Sequence, residues 1–251
     1  MAGSPELLIG RRRPWHALLP AATAAVLGVV AGSWVEIIDP TAAGVALLCF
    51  AVGAALIAQR WPRAGPPSES VTFGVANSVT LVRVVGTSWA AALASQALLG
   101  DLPRSGQALL AVIGTVCLIL DGVDGRLARS RGEVSDFGAR FVVETDAALL
   151  LVLSVAVGAV GAVGWWVLAV AGTRYVYVAA SWVVPALRIP LPYSYTRKVV
   201  AVIQGVALLV VLVLDLLTGS AGWVPDTVLA LALAALYWSF GRDVVWQLRQ
   251  R

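Results

Sequence analysis

Long apolar runs alternate with short polar breaks through most of this chain. Apolar runs near the twenty-residue length needed to span a bilayer read as transmembrane helices. The first runs from about Ala17 to Val35 and the second from Thr41 to Gln59. Glu36, Asp39 and Pro40 form an acidic turn between them. Arg60 to Ser70 is rich in proline and breaks the helical pattern. A third run extends from about Asn77 to Leu99. A fourth starts near Gln107 and carries Asp121 toward its end; nothing between Asp124 and Arg131 breaks it, and Gly132 is its stop. Four more follow: Gly138 to Val160, Trp165 to about Ala186, Lys198 to Leu217, and Asp226 to Phe240. The pattern predicts an all-α, polytopic membrane protein with eight spans.

Composition agrees. Hydrophobic residues make up 59% and charged residues 13%, with a mean hydropathy of +0.86. A soluble domain carries about twice that share of charge. The formal charge of +4 follows the membrane and is not a nucleic-acid footprint. With the eight spans and a cytoplasmic N-terminus behind Arg11–Arg13, fifteen of the eighteen basic residues fall inside, and only Arg104 falls outside. Arg83 and Arg174 lie within spans. That asymmetry is what the positive-inside rule requires, and it places both termini in the cytoplasm. Arginine nearly excludes lysine, which fits a GC-rich bacterial genome; the expected location is the bacterial plasma membrane. Tryptophans such as Trp15, Trp34, Trp61, Trp165 and Trp223 sit at span ends as an interfacial belt. Cys49 and Cys117 lie in apolar segments and imply no disulfide framework. A single histidine, His16, and no Cys/His cluster argue against a zinc site.

The chemistry is concentrated between Asp121 and Asp146, which holds six of the fourteen acidic residues. Asp121 and Asp124 are three apart and share a helix face; Gly138, Val142 and Asp146 are four apart and form a stripe on the next helix. Facing oxygen-rich stripes of this kind suit a hard divalent cation, which in turn neutralises phosphate. A carboxylate in hydrocarbon needs a partner or a task. For Asp146 the alternatives are an ion pair with Arg83 or Arg174, or a place in the site. Arg174 braces the bundle against Glu144 or meets a substrate.

Asp121, Asp124, Gly125, Ala128, Arg129, Gly138 and Asp146 match, in residue and spacing, seven of the eight positions in the signature Asp-x2-Asp-Gly-x2-Ala-Arg-x8-Gly-x3-Asp-x3-Asp. On these residues the chain resembles the CDP-alcohol phosphotransferases, integral-membrane enzymes of phospholipid synthesis. Val142 stands where the third signature aspartate would be. Glu144 lies roughly 200° around the helix from it and cannot substitute without unwinding a turn. Asn77, Thr80 and Arg83 resemble the family's Asn-x2-Thr-x2-Arg helix face, although helix capping by Asn77 explains the triplet about as well. Arg197 and Lys198, followed by Gln204, resemble a basic region of the family, with Ala201 in place of a threonine.

The resemblance implies a six-helix catalytic core at 77–241, preceded by an accessory N-terminal pair at 1–63 and a linker at 64–76, and followed by a cytoplasmic tail at 242–251. It implies transfer of a substituted phosphate from a CDP-linked donor, CDP-diacylglycerol, to a small alcohol, with release of CMP at the cytoplasmic face. Asp121, Asp124 and Asp146 would hold Mg2+ or Mn2+, and Asp146 would be the base. Asn77, Thr80, Arg83, Gly125, Ala128, Arg129, Gly138, Arg197 and Lys198 would line the nucleotide and phosphate site, the small residues leaving a slot for a flat ring. Membrane lipids are the expected surroundings, a homodimer is left open, and no nucleic acid is expected. Two other readings stand beside this one. Val142 supports a degenerate member that binds nucleotide or assembles without catalysis. A transporter using the buried charges lacks the inverted repeat that such folds show.

Overall fold

A computed structural model describes residues 15–34, 37–60, 73–132, 135–189, 191–192, 194–219 and 222–250. The Arg11–Arg13 run, Glu36, Trp61, Arg63 and most of the proline-rich linker lie outside the described residues. The described chain is helical: α1 (Trp15–Trp34), α2 (Pro40–Arg60), α3 (Val75–Leu99), α4 (Arg104–Arg131), α5 (Asp136–Ala159), α6 (Leu168–Val183), α7 (Tyr195–Thr218) and α8 (Trp223–Leu248). Six of these, α2, α3, α4, α5, α7 and α8, are long and apolar enough to cross a membrane. The apolar part of α1, Ala17–Gly32, and the 16-residue α6 are shorter.

Helix ends follow local chemistry. Gly132 adopts a left-handed conformation (φ 66°) and closes α4 with its N–H on the Ala128 carbonyl, as its place after Arg131 suggests. Ser135 caps α5 by accepting from the Gly138 N–H at 3.0 Å. Gly74, not Asn77, is the cap residue of α3; Asn77 lies inside the first turn, so the capping explanation of the triplet does not hold.

Two expected spans have different limits. The run from Trp165 to Ala186 is not one helix. A 3-10 turn (Trp165–Val167) precedes α6, Val184 is extended (φ −106°, ψ 99°), and a second 3-10 turn covers Pro185–Arg188. Pro185 causes the break, because its ring disfavours helical geometry at the residue before it. At the other extreme, α8 continues to Leu248, about two turns beyond Phe240. Its last turns are held by side chains: Gln247 is 1% exposed, donates to the Leu187 and Ile189 carbonyls, and accepts from the Tyr177 hydroxyl at 2.8 Å.

α3 is the centre of the bundle and packs against α1, α2, α4 and α5. Its Leu93 joins Leu110, Leu149, Leu153, Leu208, Leu212 and Leu229 in one core cluster with near-zero exposure. Small residues set the helix spacing, as expected where lipid gives no hydrophobic drive. A Cβ on Gly205 of α7 would come within 2.8 Å of Leu118 on α4, and one on Gly28 of α1 would overlap the Trp89 ring on α3. The large exposed apolar side chains are then the lipid-facing surface. Leu19, Val176, Val183 and Leu231 are all more than two-thirds exposed.

α4 has 28 residues, about 42 Å of helix. That exceeds the roughly 30 Å hydrocarbon layer, so its last turns extend past the apolar slab. The up-and-down path brings the start of α3, the end of α4, the starts of α5 and α7, and the end of α8 to the same end of the bundle. Arg104 is the one basic residue among the described residues at the opposite end.

Candidate active site

At that end, three helices place four charged side chains around one point. Arg83 projects from α3 and is fully buried. Its Nη1 lies 3.2 Å from Asp121 Oδ1 and 2.8 Å from Asp124 Oδ2, both on α4, and its Nη2 donates to Asp146 Oδ1 on α5. Thr80, one turn before Arg83, has its hydroxyl 3.0 Å from Asp124 Oδ2. The i, i+3 spacing in α3 and α4 puts each pair on one face, and the close approach of the three helices makes them one cluster. The Asp146–Arg83 ion pair weighed from the sequence is therefore present, and Arg83 faces carboxylates here. Arg174 takes the bracing role, donating to Glu144 at 2.9 Å, and it is half-buried.

Access differs among the carboxylates. The Asp124 side chain is 1% exposed, Asp121 19% and Asp146 36%. Asp146 is the carboxylate that an incoming molecule reaches most easily.

Two further groups flank the cluster. Gly138 lies against Asn77: a Cβ there would stand 3.0 Å from Asn77 Oδ1 and 3.1 Å from Ser135 Oγ. The missing side chain lets the Asn77 amide sit on the start of α5. Around Gly125, Arg129 Nη1 and Lys198 Nζ come within 3.6 and 3.7 Å of where a Cβ would be. Both cations are exposed, and neither is in an ion pair among the described residues. This is a concentration of positive charge beside the acidic cluster, with an open backbone between.

Not every expected residue joins. Arg197 turns away to Asp243 on α8 at 3.2 Å and to the Pro192 carbonyl. Ala128 is half-buried on α4 between Gly125 and Gly132. Val142 is half-buried on α5, one turn before Asp146. Asp243 is a partner for Arg197 that the sequence pattern does not mark; its one signal is a carboxylate beside Arg242 after the long apolar run of α8. Gln204 bridges to the Ala232 carbonyl at 2.8 Å and fixes α7 against α8.

The donors suit a hard divalent cation in kind, being three carboxylates. They also suit it in charge, since three carboxylates share one guanidinium. Asp124 Oδ1 is buried without a hydrogen-bond partner among the described residues, leaving one oxygen for a further ligand. In arrangement the carboxylates close on Arg83. Among the described residues no group of three or more His, Cys, Asp or Glu side chains stands ready to hold an ion.

The sequence model of CDP-alcohol phosphatidyltransferases matches residues 73–238, from just before α3 to near the end of the apolar part of α8. The chain belongs to the CDP-alcohol phosphatidyltransferase family. No curated protein and no solved structure matches it. Members of this transferase family move a phosphatidyl group from a CDP-alcohol. The family match covers α3 to α7, α8 as far as Trp238, and all the residues gathered around Arg83, while α1 and α2 precede it.

Proposed function

We propose that this chain transfers a substituted phosphate from a CDP-linked lipid, CDP-diacylglycerol, to a small alcohol and releases CMP. The observation that carries the reading is the convergence of Asp121, Asp124 and Asp146 from two helices at one point, beside Arg129 and Lys198, which have no ion pair among the described residues. Acids that collect charge and cations that receive phosphate are the two things a diphosphate substrate needs within one site.

In this reading the diphosphate lies over Gly125, where Arg129 and Lys198 meet its oxygens as charge-assisted donors. The nucleotide enters along the face that carries Asn77 and Gly138. Asp146, the most accessible carboxylate, takes the proton of the acceptor hydroxyl. The alcohol oxygen attacks the phosphorus bearing the lipid, and the bond from that phosphorus to the CMP oxygen breaks. CMP leaves with the electron pair, and a phosphodiester remains. Mg2+ or Mn2+ bound by Asp121, Asp124 and Asp146 would supply charge neutralisation at the diphosphate.

The arginine asymmetry supports a cytoplasmic active site in a bacterial plasma membrane. α1 and α2 are read as an accessory pair outside the catalytic core. They pack on α3, and Leu18 of α1 and Ile57 of α2 share an apolar cluster with Leu81 of α3 and with Phe137 and Phe141 of α5. A second reading, a nucleotide-binding or scaffold member without catalysis, draws on Val142 and on the closure of the carboxylates around Arg83. Purified protein offered CDP-diacylglycerol with glycerol phosphate, inositol phosphate or serine separates the two. Divalent-dependent CMP release and a new lipid are expected from a transferase. Nucleotide binding with no CMP release under any acceptor belongs to the second reading.

A further inference from the structure

We infer that a divalent cation gains Asp121, Asp124 and Asp146 only by displacing Arg83, so that Arg83 sets the cation affinity of this chain. The inference rests on the cation reading above and concerns a residue that reading leaves without a stated task.

The guanidinium already occupies the space between the three carboxylates. One nitrogen bridges Asp121 Oδ1 and Asp124 Oδ2 on α4, and the other meets Asp146 Oδ1 on α5. An ion bound by all three would need the oxygens that the two guanidinium nitrogens now contact. Two cations cannot share that position at contact distance, because their repulsion in a poorly screened site is large. The competition is not one-sided. Three carboxylates against one guanidinium leave two negative charges with no other ion pair among the described residues. A divalent ion balances the cluster better than arginine does. It also gains Asp124 Oδ1, which is buried and has no hydrogen-bond partner among the described residues.

Val142, one turn before Asp146 on α5, adds no ligand oxygen to this competition. A carboxylate at this position, one turn before Asp146, would favour a small doubly charged ion over the planar guanidinium. Valine offers it nothing. Once displaced, the buried arginine needs another anion, and the diphosphate of the donor is an anion that every turnover brings. Arg83 then passes from the carboxylates to the substrate as the cation takes its place.

The test is a direct Mn2+ titration of purified protein in detergent, read as free Mn2+ by electron paramagnetic resonance, with Mg2+ competition as a check. Arg83→Gln removes the competing charge and should tighten Mn2+ binding at least tenfold. Arg83→Lys keeps the charge but loses the fork that engages both helices, so its affinity should fall between native and Arg83→Gln. Should Arg83→Gln fail to fold, Arg83→Lys still reads the competition, since tighter binding than native is required of it. Equal or weaker Mn2+ binding in the folded variants overturns the inference. Because binding is measured without turnover, the outcome is separate from the transfer reading. Graded affinities without CMP release keep the competition and reject transfer, and CMP release with equal affinities does the reverse.

Discussion

The acidic cluster makes a quantitative prediction about stability that is independent of catalysis. Asp121 and Asp124 are both carboxylates on α4, both paired with Arg83, and both candidate ligands, yet their surroundings differ. The Asp124 side chain is 1% exposed and 2.8 Å from Arg83, and Thr80 also reaches it. The Asp121 side chain is 19% exposed and 3.2 Å away. Removing one partner of a buried pair costs about 3–5 kcal/mol, because the remaining charge is left uncompensated. In Asp124→Ala, Arg83 keeps Asp121 and Asp146, so no charge is left uncompensated and the cost falls below that range, to about 2 kcal/mol for the lost charge-assisted hydrogen bonds. Thr80 adds little, since its hydroxyl is also 3.2 Å from the Ala76 carbonyl. For the more exposed Asp121, solvent screening brings the cost of Asp121→Ala to about 1 kcal/mol or less. At roughly 2–4 °C per kcal/mol for a chain of this size, Asp124→Ala should melt about 4–8 °C below native and Asp121→Ala within about 4 °C. Thermal unfolding in detergent with chelator present reads both. Equal shifts, or a larger loss for Asp121→Ala, would refute the argument that Asp124 is the anchor of the cluster.

Other expectations follow from the same geometry. Gly138→Ala should lower CMP release while leaving melting nearly unchanged: the new Cβ must push Asn77, but alanine gains about 1 kcal/mol of helix propensity over glycine. Val142→Asp should destabilise the protein in chelator through added carboxylate repulsion and make its melting temperature more dependent on Mg2+ or Mn2+; identical metal titrations in native and variant would mean that this position does not face the cluster. Cysteines introduced at Arg131 and Arg188 should resist impermeant thiol reagents in intact cells, and one at Asp101 should react. Labelling at 131 from outside would reverse the orientation.

Much of the helical framework is legible in the hydrophobic pattern, because each apolar run is a local property. Gly132 marks the end of α4 for the same reason: the backbone there needs a left-handed residue. The break before Pro185 and the continuation of α8 past Phe240 were harder. The first depends on one proline inside an apolar run. The second depends on Gln247 finding carbonyls on a distant turn. The candidate site divides in the same way. The spacing of Asp121 and Asp124, and of Gly138 and Asp146, states which residues share a face of one helix. It does not state that α3 will bring Arg83 between those faces, because that depends on how three helices approach each other. Arg129 and Lys198 meet over Gly125 although 69 positions separate them, and only packing of α4 against α7 reveals it.

The central claim is that this arrangement performs the family's chemistry with Asp146 as the group that activates the acceptor. CMP release from CDP-diacylglycerol, measured with and without Mg2+ for native protein and Asp146→Asn under a set of candidate alcohols, tests it most directly. The account predicts divalent-dependent CMP release with at least one alcohol from the native chain, and loss of most of that release in Asp146→Asn while the variant remains folded and binds nucleotide. Undiminished CMP release from Asp146→Asn, or none from the native chain with any acceptor, would contradict it.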